Sequence, residues 1–244
     1  HYFVSFVGPH DPFDPPTEYA DRYRDADMPS PVPVSGNERK RSGRKPQEYP
    51  AEKVTETRRQ YCAAIELIDD AIGSMLDALE ERGQLENTCI IWSSDHGEML
   101  GDHGMYTKAV PYEASLRVPL IVAGPGIAVG RVSNALVELI DCNPTICEFA
   151  GLPPQERIDA ISLGPVLRGE QDEHRPNTVG ALRHFRCIRT DRYKLIDNYG
   201  ADAELYDLRE DPDEQHNILN DNPEIGRELN AALRQRYMEG KWCR

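Results

Sequence analysis

Several features that mark other protein classes are scarce in this sequence. The 244 residues contain no run of about 18 apolar residues, which a membrane-spanning helix requires, so no membrane span is predicted. Aromatic residues make up only 7%, while 39% of the residues are hydrophobic and 29% are charged. This balance excludes collagen-like, coiled-coil and largely disordered chains, and the length is sufficient for a domain with a buried core.

Basic residues are also few relative to acidic ones. The chain has 28 lysines and arginines against 42 aspartates and glutamates, which gives a formal net charge of −14. An overall negative field repels phosphate backbones, so nucleic acid is not expected as a partner. The net charge does not prevent a locally positive pocket from holding a small anion.

The six cysteines lack the spacing of a metal site or a redox pair. They form no CxxC pair and no zinc-type cluster, and so few cysteines in a chain of this length do not make a small disulfide scaffold. We therefore expect mostly reduced thiols, with Cys62 and Cys89 in apolar patterns that form a core. The six positions are Cys62, Cys89, Cys142, Cys147, Cys187 and Cys243.

The chain opens inside an apolar run. Residues 2–7 predict a buried strand that ends at Gly8, and the run has neither the basic flank nor the length of a signal peptide. Because the chain starts within this strand and lacks an initial Met, we expect it to be a piece of a longer protein. Prolines between residues 11 and 50 then exclude a long helix, and the basic run at residues 39–45 is interpreted as a solvated loop.

Periodic patterns in the middle of the chain predict an α/β fold. Apolar residues at spacings of three and four indicate a long amphipathic helix over residues 52–82, closed by Gly83. Apolar runs predict buried strands at residues 88–94 and 118–123, and Asp141 is expected to cap a further helix. This order favours part of a mixed or parallel sheet flanked by helices.

The last third of the chain has a different pattern of apolar and turn residues. Short strand-like runs separated by turn residues predict a small antiparallel sheet, and Pro223 opens a final helix with one apolar face. We therefore expect residues 1–165 to belong to an α/β catalytic domain and residues 166–244 to form a small α+β subdomain. The four predicted strands are residues 178–182, 185–190, 192–197 and 204–208.

The segment after the predicted strand at residues 88–94 carries most of the chemistry. Asp95 and His96 stand at the carboxyl end of that strand, where open α/β sheets bind their ligands. An adjacent carboxylate and imidazole can share one metal ion, and Gly97 permits the sharp turn that such sharing needs. Further acids and histidines follow within nine positions, which argues against the alternative of an ordinary polar surface turn.

Three other places in the sequence could contribute to a site. His10 is held between prolines and could donate a hydrogen bond to an anion or act as a general acid. Lys108 is a second candidate cation, and for both residues the alternative is an ordinary solvated side chain. A cationic group on the small sheet either faces the pocket or is solvated; it consists of Arg183, His184 and Arg186.

Taken together, these stretches resemble the type I sulfatases of the alkaline phosphatase superfamily. Residues 3–16 are similar to the family's strand and Pro-His-x-Pro loop, and residues 88–103 to its Ser-Asp-His-Gly-Glu segment. Lys108, thirteen residues after Asp95, stands where the family places its sulfate-binding lysine. Later matches, to a Tyr-Glu…Arg-Val-Pro-Leu-Ile strand, an Asp-x-x-Pro-Thr helix and a carboxyl-terminal sheet, fall at residues 112–126, 139–153 and 189–217.

The resemblance implies a metal-dependent hydrolase of sulfate esters. Asp95 and His96 would be two ligands of a divalent cation, and His10 and Lys108 would be catalytic residues that bind the sulfate, with His10 near the leaving-group oxygen. The cation in this family is usually calcium; many members have Asn in place of His96, and manganese and magnesium are the alternatives. Fixed cations of this kind stabilise the charge that develops on the ester.

The chain departs from the family because it lacks the amino-terminal half. That half carries an Asp-Asp metal pair and a Cys-x-Pro-Ser-Arg motif, whose Cys becomes the nucleophile formylglycine. Residues 142–146 imitate the motif, but Arg is absent and the segment follows Lys108, so the match is rejected. Cys142 itself stands at a helix start, where the helix dipole is expected to lower its thiol pKa.

The resemblance therefore predicts the carboxyl-terminal portion of a sulfatase, inactive by itself. Uncovered strand edges in such a portion favour self-association. The nearest rival is a phosphonate or phosphate ester hydrolase of the same superfamily. A rival from another class is a non-catalytic fragment that binds sulfated ligands.

Overall fold

Two compact units make up the part of the chain that the structure describes. The computed structural model describes residues 1–36, 46–153, 156 and 158–240. The basic run at residues 39–45 lies outside the described residues, so its interpretation stays a prediction, as does the domain boundary near residue 165. The first unit comprises His1–Val34, Pro46–Thr88 and Glu98–Thr107, and the second comprises Ser35–Lys45, Cys89–Gly97 and Lys108–Arg244.

A helix of 31 residues dominates the first unit. Helix α2 spans Ala51–Glu81, so the helix predicted over residues 52–82 is confirmed. It ends where Gly83, at φ 63°, donates its N–H to the carbonyl oxygen of Glu80 at 2.8 Å. Neither α2 nor any other helix in the described ranges combines the length and the apolarity needed to cross a membrane.

The amino-terminal half of α2 is its better covered part. The buried residues of α2, Val54, Arg58 and Ala63, all lie there, whereas Met75 in the carboxyl-terminal half is 39% exposed. The short helix α1 (Thr17–Ala20) is tied to α2 by a hydrogen bond of 2.8 Å from the hydroxyl of Tyr19 to a carboxylate on the longer helix.

The apolar run at the start of the chain does not form a strand. Residues 2–7 have no regular structure, and Tyr2, Phe3 and Val7 are 95%, 84% and 89% exposed. The predicted buried strand is therefore wrong for this chain. A strand needs a neighbour to satisfy its backbone hydrogen bonds, and none pairs with this run among the described residues.

The second unit contains a two-stranded sheet. Strands β1 (Ile90–Ser93) and β2 (Leu120–Ala123) pair antiparallel, with the short helix α3 (Glu113–Leu116) between them in the chain. Both strands start two residues later than predicted. The described pair is antiparallel, which fits a mixed sheet rather than a purely parallel one.

A fully buried aspartate precedes the next helix, α4 (Cys142–Phe149). The prediction that Asp141 caps this helix with its side chain is wrong. Its carboxylate instead accepts the backbone N–H groups of Glu138 and Ile161, both at 2.9 Å, and so ties two loops together. A one-turn helix, α5 (Gly164–Leu167), follows.

The counter-charge of Asp141 is also buried. Arg175 donates to Asp141 from its Nε at 2.9 Å and from an Nη, and His174 places its Nε2 at 3.1 Å from the same carboxylate. Burial alone would raise the pKa of Asp141. The hydrogen bonds from Arg175 and the two backbone N–H groups outweigh burial, so the pKa of Asp141 is lowered.

The rest of the second unit is a four-stranded antiparallel sheet packed against a helix. The strands follow one another in chain order as neighbours: β3 (Thr178–Leu182), β4 (Phe185–Arg189), β5 (Tyr193–Asn198) and β6 (Glu204–Asp207). Helix α6 (Pro223–Glu239) places Leu229 and Leu233 in one core with apolar residues of the sheet. The four strands, the final helix and the α/β class are confirmed.

We predict that Asp141→Asn lowers the free energy of unfolding by about 3 kcal/mol near neutral pH, because the buried Arg175 then loses its hydrogen-bonded counter-charge and keeps the more distant carboxylate of Glu138, at 3.7 Å. The pKa of Asp141 is depressed in the folded state, so its ionisation stabilises that state above about pH 4, and this contribution is lost as the pH falls through the depressed pKa. The difference between the two proteins should shrink in acid.

Urea unfolding of both proteins over a series of pH values measures this difference. Asp172→Asn is the control, because the Asp172 side chain is 96% exposed and its loss should change little at any pH. A difference that grows in acid would contradict the prediction.

Candidate active site

The first predicted site segment begins where strand β1 ends. The hydroxyl of Ser93 donates to the carbonyl oxygen of Pro119 at 2.8 Å, which fastens the end of β1 to the chain that enters β2. Ser94 then donates to the carbonyl oxygen of His96 at 2.8 Å and closes a tight turn. The turn presents Asp95 and His96 at the carboxyl end of the strand, as the sequence predicts.

Asp95 and His96 lie side by side with their polar ends facing each other. The Asp95 side chain is 87% exposed, and its Oδ2 lies 3.7 Å from Nε2 of His96. Nδ1 of His96 lies 2.9 Å from the carbonyl oxygen of Gly97. Because a carbonyl oxygen only accepts, Nδ1 is the donor, and the neutral ring carries its lone pair on Nε2. That is the tautomer in which Nε2 can ligate a metal ion.

Gly97 is required for a reason other than the one predicted. Its φ is not positive, so the turn does not depend on glycine's conformational freedom. A Cβ at this position would lie 2.0 Å from the carbonyl oxygen of Ala114, and the Gly97 N–H donates to the carbonyl oxygen of Ser115 at 2.8 Å. The backbone of helix α3 thus lies directly against the turn that carries Asp95 and His96.

The donor pair fits part of a metal site. A carboxylate and an imidazole nitrogen are both common metal ligands, but no group of three or more histidine, cysteine or acidic side chains arranged to hold a metal ion occurs in the described residues. That Asp95 and His96 ligate a metal ion stays a prediction, and the described residues offer no third such side chain grouped with them.

The other acids and histidines of the same segment have structural roles. Glu98 accepts the backbone N–H groups of Leu100, at 3.3 Å, and Thr107. Asp102 pairs with the buried Arg58 at 2.7 Å, and His103 is 3% exposed. These side chains shape the loop and are not presented to a ligand.

Lys108 lies in a strained stretch of the backbone. Leu100, His103, Thr107 and Ala109 all have positive φ, between 46° and 75°, and Thr107 is β-branched, which makes this backbone conformation costly. Lys108 itself is half-buried. Strain of this kind persists only where surrounding contacts impose it, and it is typical of functional loops.

His10 belongs to the first unit, whereas Asp95, His96 and Lys108 belong to the second. The His10 side chain is 42% exposed. Its Nδ1 lies 2.8 Å from the carbonyl oxygen of Asp11 and 3.2 Å from the carboxylate of the same residue. The site roles of these four residues stay predictions.

The described cysteines are free, and burial raises the thiol pKa of four of them. Burial, with a smaller contribution from Asp141, raises the pKa of the Cys142 thiol, so the expectation that the helix dipole lowers it is wrong. Cys62 and Cys89 are half-buried rather than fully enclosed in a core, and burial raises both pKa values. Burial also raises the pKa of Cys187 to about 11.

The cationic group on the small sheet is only partly available. Arg186 pairs with Asp197 on the neighbouring strand, at 2.7 Å, and stacks near the rings of Tyr199 and Tyr237. Arg183 and His184 are exposed between β3 and β4. Arg186 is therefore mainly a part of the sheet.

Sequence reasoning missed a buried charge cluster. Lys194, which is 1% exposed, lies 3.0 Å from a carboxylate oxygen of Glu113 and 2.8 Å from one of Glu214. Arg189 joins the cluster at 3.3 Å from Glu113. The sequence contains one indication of this cluster, which is Lys194 within the apolar alternation of strand β5. Because most lysines are solvated, this pattern alone does not predict a buried lysine.

Comparison with known protein families agrees with the motifs. The sulfatase family profile matches residues 2–152, and a profile described as N-sulphoglucosamine sulphohydrolase, C-terminal, matches residues 101–241. An arylsulfatase of Clostridium perfringens is 31% identical over 234 residues, which cover 89% of this chain and 48% of that protein. The chain thus spans about half the length of the curated relatives it matches.

Solved structures give the same result. A protein in complex with its substrate D-glucosamine-2-N,6-O-disulfate is 33% identical with a TM-score of 0.71, over 76% of this chain and 41% of that one. A phosphonate monoester hydrolase from Silicibacter pomeroyi is 25% identical with a TM-score of 0.83, over 96% of this chain and 55% of that one. On its motifs, its fold and the match over most of its length, this chain belongs to the sulfatase family.

Proposed function

We propose that this chain supplies the metal-binding and anion-binding part of a sulfuric ester hydrolase. The observation that carries the proposal is the Asp95–His96 pair, an exposed carboxylate facing an imidazole Nε2 at 3.7 Å, at the carboxyl end of a strand. Sulfatase relatives with 31% identity and a neighbour solved with a sulfated sugar support this reading. The substrate class is a sulfate ester.

Each proposed role follows from the chemistry of the side chain. Lys108 would hold the anionic group of the ester, and His10 would donate to the leaving-group oxygen or place a proton on it. Asp95 and His96 would be two ligands of a divalent cation, with calcium as the usual ion of the family and manganese or magnesium as alternatives. Such a cation supplies positive charge next to the ester oxygens.

A second candidate function has specific support. The likeness to a phosphonate monoester hydrolase, with a TM-score of 0.83 over 96% of this chain, favours a phosphonate or phosphate monoester as the alternative substrate. The two esters can be distinguished by comparing kcat/KM for an aryl sulfate and an aryl phosphonate in the parent enzyme, which here means a full hydrolase that includes this chain. A parent protein that binds sulfated sugars and cleaves neither ester would favour the binding fragment.

The metal assignment can be tested on the chain itself. We expect Ca²⁺ or Mn²⁺ to bind weakly and to perturb the ring resonances of His96, and Asp95→Ala should abolish this effect because one of two ligands is lost. Asp172→Ala is the control, since Asp172 is an exposed acid paired only with Arg131. In the parent enzyme Asp95→Ala should abolish turnover. Sub-micromolar calcium binding that survives Asp95→Ala, measured by calorimetry, would exclude the assignment.

The anion assignment is tested through Lys108. In the parent enzyme Lys108→Ala should lower turnover roughly a hundredfold or more, by comparison with the loss of one oxyanion donor elsewhere. Lys53→Ala is the matched control, because Lys53 lies on the surface of α2 over the ring of Tyr49. Wild-type kcat and KM for Lys108→Ala would show that Lys108 does not hold the ester.

The 244 residues by themselves should not hydrolyse aryl sulfates. No described side chain near Asp95 has the character of a nucleophile, and the raised pKa of Cys142 keeps its thiol protonated at neutral pH. Release of the phenol is measured for the purified chain and for Cys142→Ala. Steady hydrolysis that is lost in Cys142→Ala would overturn both this expectation and the rejection of Cys142.

A further inference from the structure

The buried charge cluster around Lys194 lies entirely in the second unit and is bonded to the element that touches the Asp95–His96 turn. Glu214 is 2% exposed, and its Oε1 lies 2.8 Å from Nζ of Lys194. Glu113 lies 3.0 Å from the same ammonium group and 3.3 Å from Arg189. Two acids and two bases thus neutralise one another away from water.

The lysine remains charged in this environment. Burial alone would lower the pKa of Lys194, but the carboxylates of Glu214 and Glu113 outweigh burial and raise it. Burial would likewise raise the pKa of Glu113, but the charges of Lys194 and Arg189 lower it. The Lys194–Glu113 ion pair is therefore maintained at neutral pH. At Glu214 burial outweighs the charge of Lys194 and raises the pKa of the carboxyl group.

The second carboxylate oxygen of Glu214 has a different partner. Oε2 accepts the backbone N–H of Glu113, the first residue of helix α3, at 2.7 Å. Glu214 itself has a positive φ of 55°, a backbone conformation that a glutamate adopts only where its surroundings impose it. A strained residue in the loop after β6 thus holds the start of α3.

Helix α3 is the element that lies against the candidate metal turn. The carbonyl oxygen of Ser115 accepts the N–H of Gly97 at 2.8 Å, and the carbonyl of Ala114 comes so close to Gly97 that no side chain fits between them. Asp95 and His96 immediately precede Gly97. The position of α3 therefore sets the position of the two ligands through backbone contacts alone.

A second buried acid holds the residue before α3. Glu204 on strand β6 is fully buried, and its carboxylate accepts hydrogen bonds from the hydroxyls of Tyr112, at 3.3 Å, and Tyr206, at 2.5 Å. Tyr112 adjoins Glu113 and follows Lys108 by four residues. Two successive residues are thus held by the carboxyl-terminal part of the chain. Glu204 on the sheet binds the side chain of Tyr112, and Glu214 in the following loop binds the backbone of Glu113.

We propose that Glu214 is a positioning residue for the candidate active site, acting through the backbone of Glu113, helix α3 and Gly97 on Asp95 and His96. The proposal rests on the function proposed above for that pair. Glu214 touches neither ligand and takes no part in the chemistry. It gives the carboxyl-terminal segment a direct mechanical role in the site.

Amide hydrogen exchange on this chain tests the positioning without a metal or a substrate. Glu214→Gly removes the carboxylate and suits the positive φ, and it should speed exchange at the amides of Glu113 and Gly97 by about tenfold or more. Glu214→Gln keeps an oxygen that can accept the Glu113 N–H and should restore most of the protection at both amides.

A matched control separates positioning from a general loss of stability. Leu233→Ala removes a fully buried side chain from the core of the same sheet and helix, without touching Glu214 or α3. It should destabilise the unit and leave the exchange of Gly97 relative to other loop amides unchanged. Equal acceleration of Gly97 in Leu233→Ala and Glu214→Gly would overturn the proposal, as would a fast Glu113 amide with an unchanged Gly97 amide.

If Glu214→Gly does not fold, Glu214→Asn replaces it, because asparagine tolerates a positive φ and its side chain is one methylene too short to keep the same hydrogen bond. Faster exchange at both amides supports the proposal, and wild-type rates at both amides, or a faster Glu113 amide with an unchanged Gly97 amide, overturn it.

Mn²⁺ titration, followed by broadening of the His96 resonances, gives a second readout. Glu214→Gly should weaken Mn²⁺ binding about tenfold, which is the usual effect of removing a group that orients a metal ligand without touching the metal. Leu233→Ala should leave Mn²⁺ binding unchanged. Absence of Mn²⁺ binding to the wild-type chain would count against the proposed metal site, and the exchange data would still decide the role of Glu214. An affinity unchanged by Glu214→Gly, where the wild-type chain does bind, would overturn the positioning.

Discussion

An ionised side chain that is removed from water has to be paired and hydrogen-bonded, and this requirement organises the second unit of the chain. Lys194 and Asp141 are both at most 1% exposed. Each is surrounded by partners from segments far apart in the sequence, so each can be satisfied only when those segments meet. Removing a single partner leaves a buried charge, which costs more than an ordinary contact does. The buried charges therefore specify which loops lie together more strictly than apolar packing could.

The same requirement connects the small antiparallel sheet to the candidate site. Glu214, which pairs with Lys194, also accepts the backbone N–H of Glu113 at the start of helix α3. Glu204 accepts the hydroxyl of Tyr112, and the backbone of α3 lies directly against Gly97. If the proposed site is correct, residues that do not contact the substrate hold its metal ligands in position. By its strand pattern the small sheet resembles an appended subdomain. Hydrogen bonds through helix α3 nevertheless connect it to the turn that presents Asp95 and His96.

Local periodicity predicted the regular elements well. Apolar residues at helical spacing predict both ends of α2 to within one residue, and Pro223 marks the start of α6. Turn residues locate the four strands of the small sheet, because these signals are contained within each element. The run at residues 2–7 has the same quality of pattern but forms no strand, since a strand depends on a neighbour that the pattern itself does not contain. The sequence also led to the correct family, through six motifs in order.

What could not be predicted were the interactions between distant segments. Asp141 has the sequence context of a helix cap, yet its carboxylate binds loops and an arginine 34 residues away. The sequence context of Gly97 indicates a sharp turn, but glycine is needed there because the backbone of Ala114 lies too close for a side chain. Lys194 stands among residues that suit a strand, and only the fold shows that two acids meet it there. In each case the residue type indicated a special role, but the residue that it contacts lies far away in the sequence and cannot be identified from the sequence alone.

The four positive-φ residues around Lys108 have a consequence for anyone who tries to make this protein more robust. Leu100, His103, Thr107 and Ala109 each hold a backbone shape that glycine or asparagine adopts more easily, so they are where a consensus or computational redesign would first find apparent gains. Those gains would come from relaxing the loop that carries the candidate anion-binding lysine. A variant selected only for a higher melting temperature could thus lose the rigidity of that loop. In this stretch we therefore expect a trade-off between stability and activity.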